Sequence, residues 1–599
     1  MTRLSASILF FTVIIIGMVI VACGSAEPQI VEKVVEVPVD REVVKEVEVV
    51  KEVEVEVVKE IETEVIKEVV KEVEVVVVAT PVRQAQEAAY IMRAPEPNPK
   101  RGGNMKTAFG VTMTNFDVQQ GAGAHVLGHL YNKVVTKNLA DGLRTIAPDL
   151  AVSWEAAPDG MGYTFNLREG VTYSDGTPFS ADDVVANFTR IIDPPAGVSS
   201  RSKDLLPMID SVEKIDDYTA TFNLNAPTPY FVELLTSSPL LVYSKKSLEE
   251  NNYDLRKIEV APGTGVFRFV NHIPGEKWEF EANPDYWNPE LPYLDGLTML
   301  HVPTWPDRGA AVLTGQADFS WNISPDTHAE AKRRQDIGAV TYDCLNSHNF
   351  AINNERAPFD DPRVRRAIHL AVSRQTQIDG YTPVWEPTFV TRWIPKPSPF
   401  STDPNAILQM PGYRAEKEED IAEAKRLLAE AGYPDGFEMT ITTWNLPTTA
   451  EVAVPLFVDE LRKTLNIRAD IKLVERALQS EILHDGNFDM FRNGDYAGQI
   501  LDPFPMWNIY LRTGGSQNWS RYANPEFDAV LDQLAGELDP FARAELFNEG
   551  MDILDENPPF YHIGFCGHSP AWSKDVKGMS METRLHVLWE RLDTVWLDR

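Results

Sequence analysis

Tyr163-Thr-Phe-Asn-Leu-Arg168, Ser174-Asp-Gly-Thr-Pro178 and Ser180-Ala-Asp-Asp-Val184 follow one another in close succession. Alternation puts Tyr163, Phe165 and Leu167 on one face of a half-buried strand. The Asp-Gly-Thr-Pro run is turn chemistry. Ser180, with Asp183 three residues later, is a capping box opening a helix whose apolar face is Val184, Val185, Phe188 and Ile191. A strand, a turn and a capped helix in that order predict a mixed α/β architecture.

The same grammar recurs downstream. Asp361-Pro362 opens a second helix, with proline at the permitted first position and Val364, Ile368, Ala371 and Val372 as its buried stripe. A third spans Glu419 to Ala431, buries Ile421, Ala424, Leu427 and Leu428, and stops at Gly432. The strand Glu438-Met-Thr-Ile-Thr-Thr443 follows at once. Asp539-Pro540 opens a last long helix, which ends before Pro558-Pro559.

The N-terminus has a different character. Arg3 precedes an apolar run from Ile8 to Val21 that ends in Ile20-Val-Ala-Cys-Gly24. A short apolar helix after one basic residue, closed by small residues and a cysteine, is the layout of a secretory signal, with Cys23 where a bacterial lipoprotein presents the thiol that becomes acylated. The run falls short of the ~20 residues needed to span a hydrocarbon core, which argues against an uncleaved anchor. Val31 to Val78 is then a repetitive Val/Glu/Lys tract. Val43, Val47, Val50, Val57, Ile61, Val65 and Val69 approximate a heptad seam, while its VEVEV runs also satisfy a strand period. The tract is read as a spacer, with a coiled-coil interaction module as the alternative. Ala79 to Lys100, with Pro81, Pro95, Pro97 and Pro99, is a linker.

A net charge of −33 argues against nucleic acid, whose phosphates call for Lys/Arg clusters. After the leader and spacer, about 500 residues remain, enough for two or three domains. Three cysteines occur. With Cys23 lipidated, Cys344 and Cys566 are read as two separate buried thiols, a bridge in an oxidising compartment being the alternative. His562, Cys566 and His568 invite a metal reading, but their spacing is not that of a ligand pair on one helical face. His125 and His129 share an i, i+4 spacing and are read as helix-surface or core histidines. No P-loop, dinucleotide fingerprint, zinc-protease helix or serine elbow appears, so the chain is not read as an enzyme and no cofactor is expected.

Together these motifs resemble the family-5 extracellular solute-binding proteins, the oligopeptide, dipeptide and nickel receptors of ABC importers. The resemblance runs through Ala147-Pro-Asp-Leu-Ala151 with Trp154, Tyr163 to Val171, Asp175-Gly-Thr-Pro178, Gly263-Thr-Gly265 and Asn283-Pro-Asp-Tyr-Trp287. It continues in Phe359-Asp-Asp-Pro-Arg-Val-Arg-Arg-Ala367, Ala431-Gly-Tyr-Pro434 and Asn524-Pro-Glu-Phe-Asp528. It implies an α/β, two-lobed periplasmic-binding-protein-like fold of type II with an extra inserted domain, preceded by the signal peptide and low-complexity stalk. The expected layout is signal peptide 1–22, stalk and linker 23–100, and lobe I in three pieces, 101–145, 263–345 and 555–599. Residues 146–262 form its inserted domain and 346–554 form lobe II.

The resemblance also implies a site. In similar peptide binders a loop carries an aromatic and, three residues later, an acid that pairs with the peptide ammonium. Aligning on Asp502-Pro503 puts Tyr496 at the aromatic position and Gln499 at the acid, with Asp495 as the alternative acid. An amide there lacks the countercharge for a free ammonium and points to neutral polar ligands or to peptides held otherwise. Trp444 and Asn445, at a strand's exit, are read either as a ligand stack or as a roof over the core. Asn518, Phe116 and Tyr561 complete the candidate ligand set, and Trp507 is a further candidate by position. The expected function is that of a lipid-anchored substrate-binding component on the outer face of the cytoplasmic membrane. It captures a small solute by lobe closure and delivers it to permease and ATPase subunits. A sensor or a surface interaction protein on the same fold is the rival.

Overall fold

The computed structural model describes strands at 12–18 and 30–36 and the chain from 98 to 599. Within the latter it leaves aside 111–112, 114, 122, 139–144, 201, 384–387, 397, 446–447, 493–495, 499 and 580–590. Residues 1–80 and 81–599 form separate units. In the first, Thr12–Met18 pairs antiparallel with Ile30–Glu36. The apolar segment is a strand there, where a signal helix was expected. Its Val-Ile-Ile-Ile run is β-branched and favours an extended backbone. Cys23 and the greater part of the Val/Glu/Lys tract lie outside the described residues. Among the described residues, no helix is long and apolar enough to cross a membrane.

The second unit is built on three main sheets. The opening motif of the sequence lies in a four-stranded antiparallel sheet, ordered Ala151–Ala156, Gly162–Leu167, Thr219–Leu224, Ile209–Asp216. Tyr163, Phe165 and Leu167 are buried as the alternation requires. The capping box closes as read: Ser180 Oγ accepts from the Asp182 amide, while the Asp183 carboxylate accepts from the Ser180 amide at 2.8 Å. The helix it opens, Ala181–Ile192, lays Phe188 edge-on against Phe222 with ring centroids 4.8 Å apart.

A seven-stranded sheet runs in the order Phe267–Ile273, Lys277–Ala282, Gly296–His301, Asn104–Phe109, Phe319–Ser320, Ala571–Ser573, Ile337–Ala339. Its centre is parallel: Gly296–His301 and Phe319–Ser320 flank Asn104–Phe109 in the same direction. A six-stranded sheet follows the order Thr388–Phe389, Phe560–His568, Tyr342–Ile352, Met490–Arg492, Glu438–Trp444, Arg468–Val474. Its last three strands are parallel. Helices Pro362–Ala371, Glu418–Glu430 and Pro540–Glu556 form within a residue of the starts read from sequence.

The chain passes between the two large sheets twice, side by side. Going out it leaves Ile337–Ala339, crosses Val340 and Thr341, and enters Tyr342–Ile352. Returning, it leaves Phe560–His568, crosses Ser569 and Pro570, and enters Ala571–Ser573. Residues 342–345 and 560–568 thus belong with the six-stranded sheet, against lobe boundaries at 345 and 555 expected from sequence. The long strand Tyr342–Ile352 runs through the expected boundary, with its partner Phe560–His568 beside it on both sides of a bulge at Cys344–Asn346.

Gly263 and Gly265 let the segment leading into Phe267–Ile273 lie directly against the backbone at Leu130. A Cβ on Gly263 would lie 1.9 Å from the Leu130 carbonyl oxygen, and one on Gly265 would lie 2.3 Å from the Leu130 carbonyl carbon. The Gly-Thr-Gly spacing therefore answers to a backbone-to-backbone contact.

Candidate functional site

In open α/β sheets, ligands are received beyond the carboxyl ends of parallel strands. In the seven-stranded sheet those ends are Phe109, His301 and Ser320; in the six-stranded sheet they are Trp444, Val474 and Arg492. The segments that leave two of them, Ser320 and Arg492, meet at the crossing. Beyond Ser320, the Asn322 side chain accepts the Ser569 amide at 3.0 Å and the Ile323 amide donates to the Ser569 carbonyl at 3.1 Å. Trp321 lies edge-on to His568 with centroids 5.5 Å apart. Beyond Arg492, the Ser347 amide donates to the Tyr496 carbonyl and the Gly498 amide to the Leu345 carbonyl, both at 2.9 Å.

The loop after Arg492 reaches the other side as well. Glu233, on the short helix Phe231–Leu234 beside the four-stranded sheet, accepts the Leu501 amide at 3.0 Å and pairs with Lys137, which is 2% exposed. Tyr230 packs on Phe504 with centroids 5.3 Å apart. One loop is thus held by the crossing at one end and by the four-stranded unit at the other.

Several side chains expected to face a ligand are committed to structure instead. The Tyr496 hydroxyl donates to the Trp393 carbonyl at 2.7 Å, and its ring lies among Tyr510, Phe560, His562 and Phe565. Burial pushes its phenol well above the ordinary range. Tyr496 therefore anchors the loop from within. Asp502 accepts from Arg543 at 2.6 Å and from the amide of Phe504, the first residue of the helix Phe504–Tyr510, at 2.9 Å. Desolvation raises its pKa to about 6. Asn518 bridges the Arg512 and Tyr522 carbonyls of its own loop. Tyr561 is buried with its hydroxyl on the Val372 carbonyl at 3.3 Å. Trp507 is fully buried, its indole N–H donating to the Trp393 carbonyl at 3.4 Å.

Trp444 roofs a small core with Leu483, Phe488 and Phe491, and the Arg476 guanidinium lies 4.9 Å over its ring. Asn445 beside it is exposed. Phe116 sits half-buried in the other lobe, edge-on to His272 and Trp278. Gln499 and Asp495 lie outside the described residues. His129 is a core histidine between Phe267 and Phe280. His562 shares a hydrogen bond of 2.8 Å with Ser347 Oγ, and burial pulls its pKa well below the usual value. Cys344 and Cys566 form a disulfide with Cα atoms 5.2 Å apart, so the expectation of two separate thiols does not hold.

Sequence reading missed Arg492, the last residue of its strand. It is fully buried, donates to the Asn349 carbonyl at 3.1 Å, and lies 5.2 Å from the centre of the Phe350 ring and 5.4 Å from that of Tyr381. An arginine directly after the apolar pair Met490-Phe491 was the available signal.

Two α/β lobes joined by a paired crossing, with strand-end loops tied to that crossing from both sides, are the architecture of a two-lobed solute-binding protein. The bacterial extracellular solute-binding proteins, family 5, match over residues 145–518, and the chain belongs to that family. Heme-binding protein A of Haemophilus influenzae is 30% identical over 484 residues, spanning 75% of this chain and 84% of the relative. The periplasmic oligopeptide-binding protein OppA of Salmonella typhimurium is 26% identical over 472 residues, 72% of this chain and 84% of the relative. Among solved structures, the periplasmic binding protein DppA of Helicobacter pylori, in complex with the peptide STSA, superposes with a TM-score of 0.69 at 25% identity. That match covers 84% of this chain and 99% of the other.

Proposed function

We propose that this protein is the substrate-binding component of an ABC importer, held on the outer face of the cytoplasmic membrane by a lipid on Cys23. It captures a peptide-like or other small polar solute between its lobes and presents it to a permease, with ATP hydrolysed on partner subunits. The observation that carries the reading is the loop after Arg492, bonded to the crossing through Tyr496 and Gly498 and to the four-stranded unit through Leu501. A solute that touches this loop and the facing lobe gains contacts only when the lobes are together, so binding shifts the population toward closure. The relatives support a ligand of peptide or porphyrin size, since their names specify oligopeptides and haem.

Titration calorimetry of the mature domain against short peptides with free and blocked amino termini, and against a metalloporphyrin, tests this. Saturable one-to-one binding of at least one class is expected. Absence of binding across the whole panel, together with no solute co-purifying by native mass spectrometry, overturns the reading.

A further inference from the structure

The paired strands that carry the chain between the large sheets shift register twice, and the larger break lies between Asp343 and Ser347. Asp343 faces Gly567 and Ser347 faces Phe565, so Cys344, Leu345 and Asn346 stand opposite Cys566 alone. Three residues against one interrupt the ladder of cross-strand hydrogen bonds. A covalent bond spans that gap. Cys344 and Cys566, 222 residues apart in sequence, are joined with their Cα atoms 5.2 Å apart, a separation that an S–S bond accommodates. The Asn346 amide turns back onto Cys344 Sγ at 3.4 Å. On its far side Cys566 is paired with Thr388, so the sulfur bond ties the bulge to a strand held on both flanks.

The bulge carries cargo. Its Leu345 carbonyl accepts the Gly498 amide, the Ser347 amide at its end donates to the Tyr496 carbonyl, and Asn346 forms a bridge with Ala497. Two of the three residues that have left the ladder, Leu345 and Asn346, together with Ser347 where the ladder resumes, therefore hold the loop running on to Leu501 and Glu233.

We propose that the Cys344–Cys566 disulfide is a positioning element of the binding cleft, fixing the bulge whose backbone sets where loop 496–498 stands between the lobes. The proposal rests on the reading of that loop as part of the cleft. Without the bond, Leu345 and Asn346 have no ladder to hold them to the neighbouring strand, and the loop moves with them.

Hydrogen exchange of the full mature chain tests this, with the disulfide intact and after treatment with a dithiol reagent. The reagent delivers two electrons and two protons, leaving thiols at Cys344 and Cys566 and itself as a cyclic disulfide. A Cys344→Ser, Cys566→Ser double variant without reagent provides the second arm. The expected result is that the Ser347 and Gly498 amides exchange about tenfold faster, while Asn349–Ile352 and Phe560–Ile563 keep their protection. Unchanged exchange at Ser347 and Gly498 overturns the proposal. Loss of protection throughout the six-stranded sheet also overturns it, since the bond is then a general staple. The readout needs no ligand, so a failure of the transport reading, seen by calorimetry on the oxidised protein, is distinguishable from a failure of this one.

Discussion

Glu233 accepts the backbone amide of Leu501 at 3.0 Å, and 268 residues of chain separate the two. The bond joins the unit built on the four-stranded sheet to a loop that leaves the six-stranded sheet, and Lys137, nearly buried, supplies the countercharge. Glu233→Ala strands that ammonium without a partner, and breaking a buried pair costs about 3 kcal/mol or more. Glu233→Gln keeps an acceptor for Leu501 and is expected to cost roughly half as much. Urea unfolding of the two variants checks the order. Equal and negligible effects contradict the role of this contact.

Asp502 gives the same region a pH dependence. Its carboxyl faces Arg543, with Glu233 and the Tyr230 ring beside it, and burial outweighs the arginine, raising the pKa from 3.8 to about 6. In that window the folded chain holds a proton that the unfolded chain has released, so this group's contribution makes stability fall as pH rises from about 4 to 6. Asp502→Asn removes that contribution. The check is the difference in melting temperature between wild type and variant at pH 4.5 and pH 7. A difference independent of pH contradicts the shift.

Tyr496 separates anchoring from ligand contact. Tyr496→Phe loses one buried hydrogen bond, to the Trp393 carbonyl, at about 1 kcal/mol, and is expected to leave solute affinity unchanged. Tyr496→Ala empties a fully packed site and costs roughly 3–5 kcal/mol. Denaturant midpoints and calorimetry on the two variants check this, and a Phe variant that is stable but fails to bind contradicts the inward placement.

Gly265→Ala is expected to destabilise by about 3 kcal/mol, because the new methyl meets the Leu130 backbone and not a side chain that can swing away. Gly275→Ala is the comparison. Unlike Gly265 it has a positive φ, +75°, but nothing lies within 4 Å of its Cβ, so about 1 kcal/mol of backbone strain is all it carries. The difference in thermal midpoint between the two measures the close approach itself.

What could be read from the chain and what could not divides along the range of the interactions. The Ser180–Asp183 capping box and the Asp361-Pro362 start are encoded within four residues, and both formed as written. Tyr496 was read as facing a ligand, whereas its ring is buried in the core, since spacing along a loop does not say which side meets the core. The Cys344–Cys566 bond was not legible, because its partners come together only once two distant strands pair. Arg492 escaped for the related reason that the carbonyl it serves, that of Asn349, belongs to a neighbouring strand.

Small-angle X-ray scattering of the mature domain, titrated with the solute identified by calorimetry, tests the central claim most directly. Closure predicts a radius of gyration that falls saturably with the same midpoint as binding, and a Glu233→Ala variant that needs more solute to reach the same compact state. A solute that binds stoichiometrically while the scattering profile stays fixed contradicts capture by lobe closure.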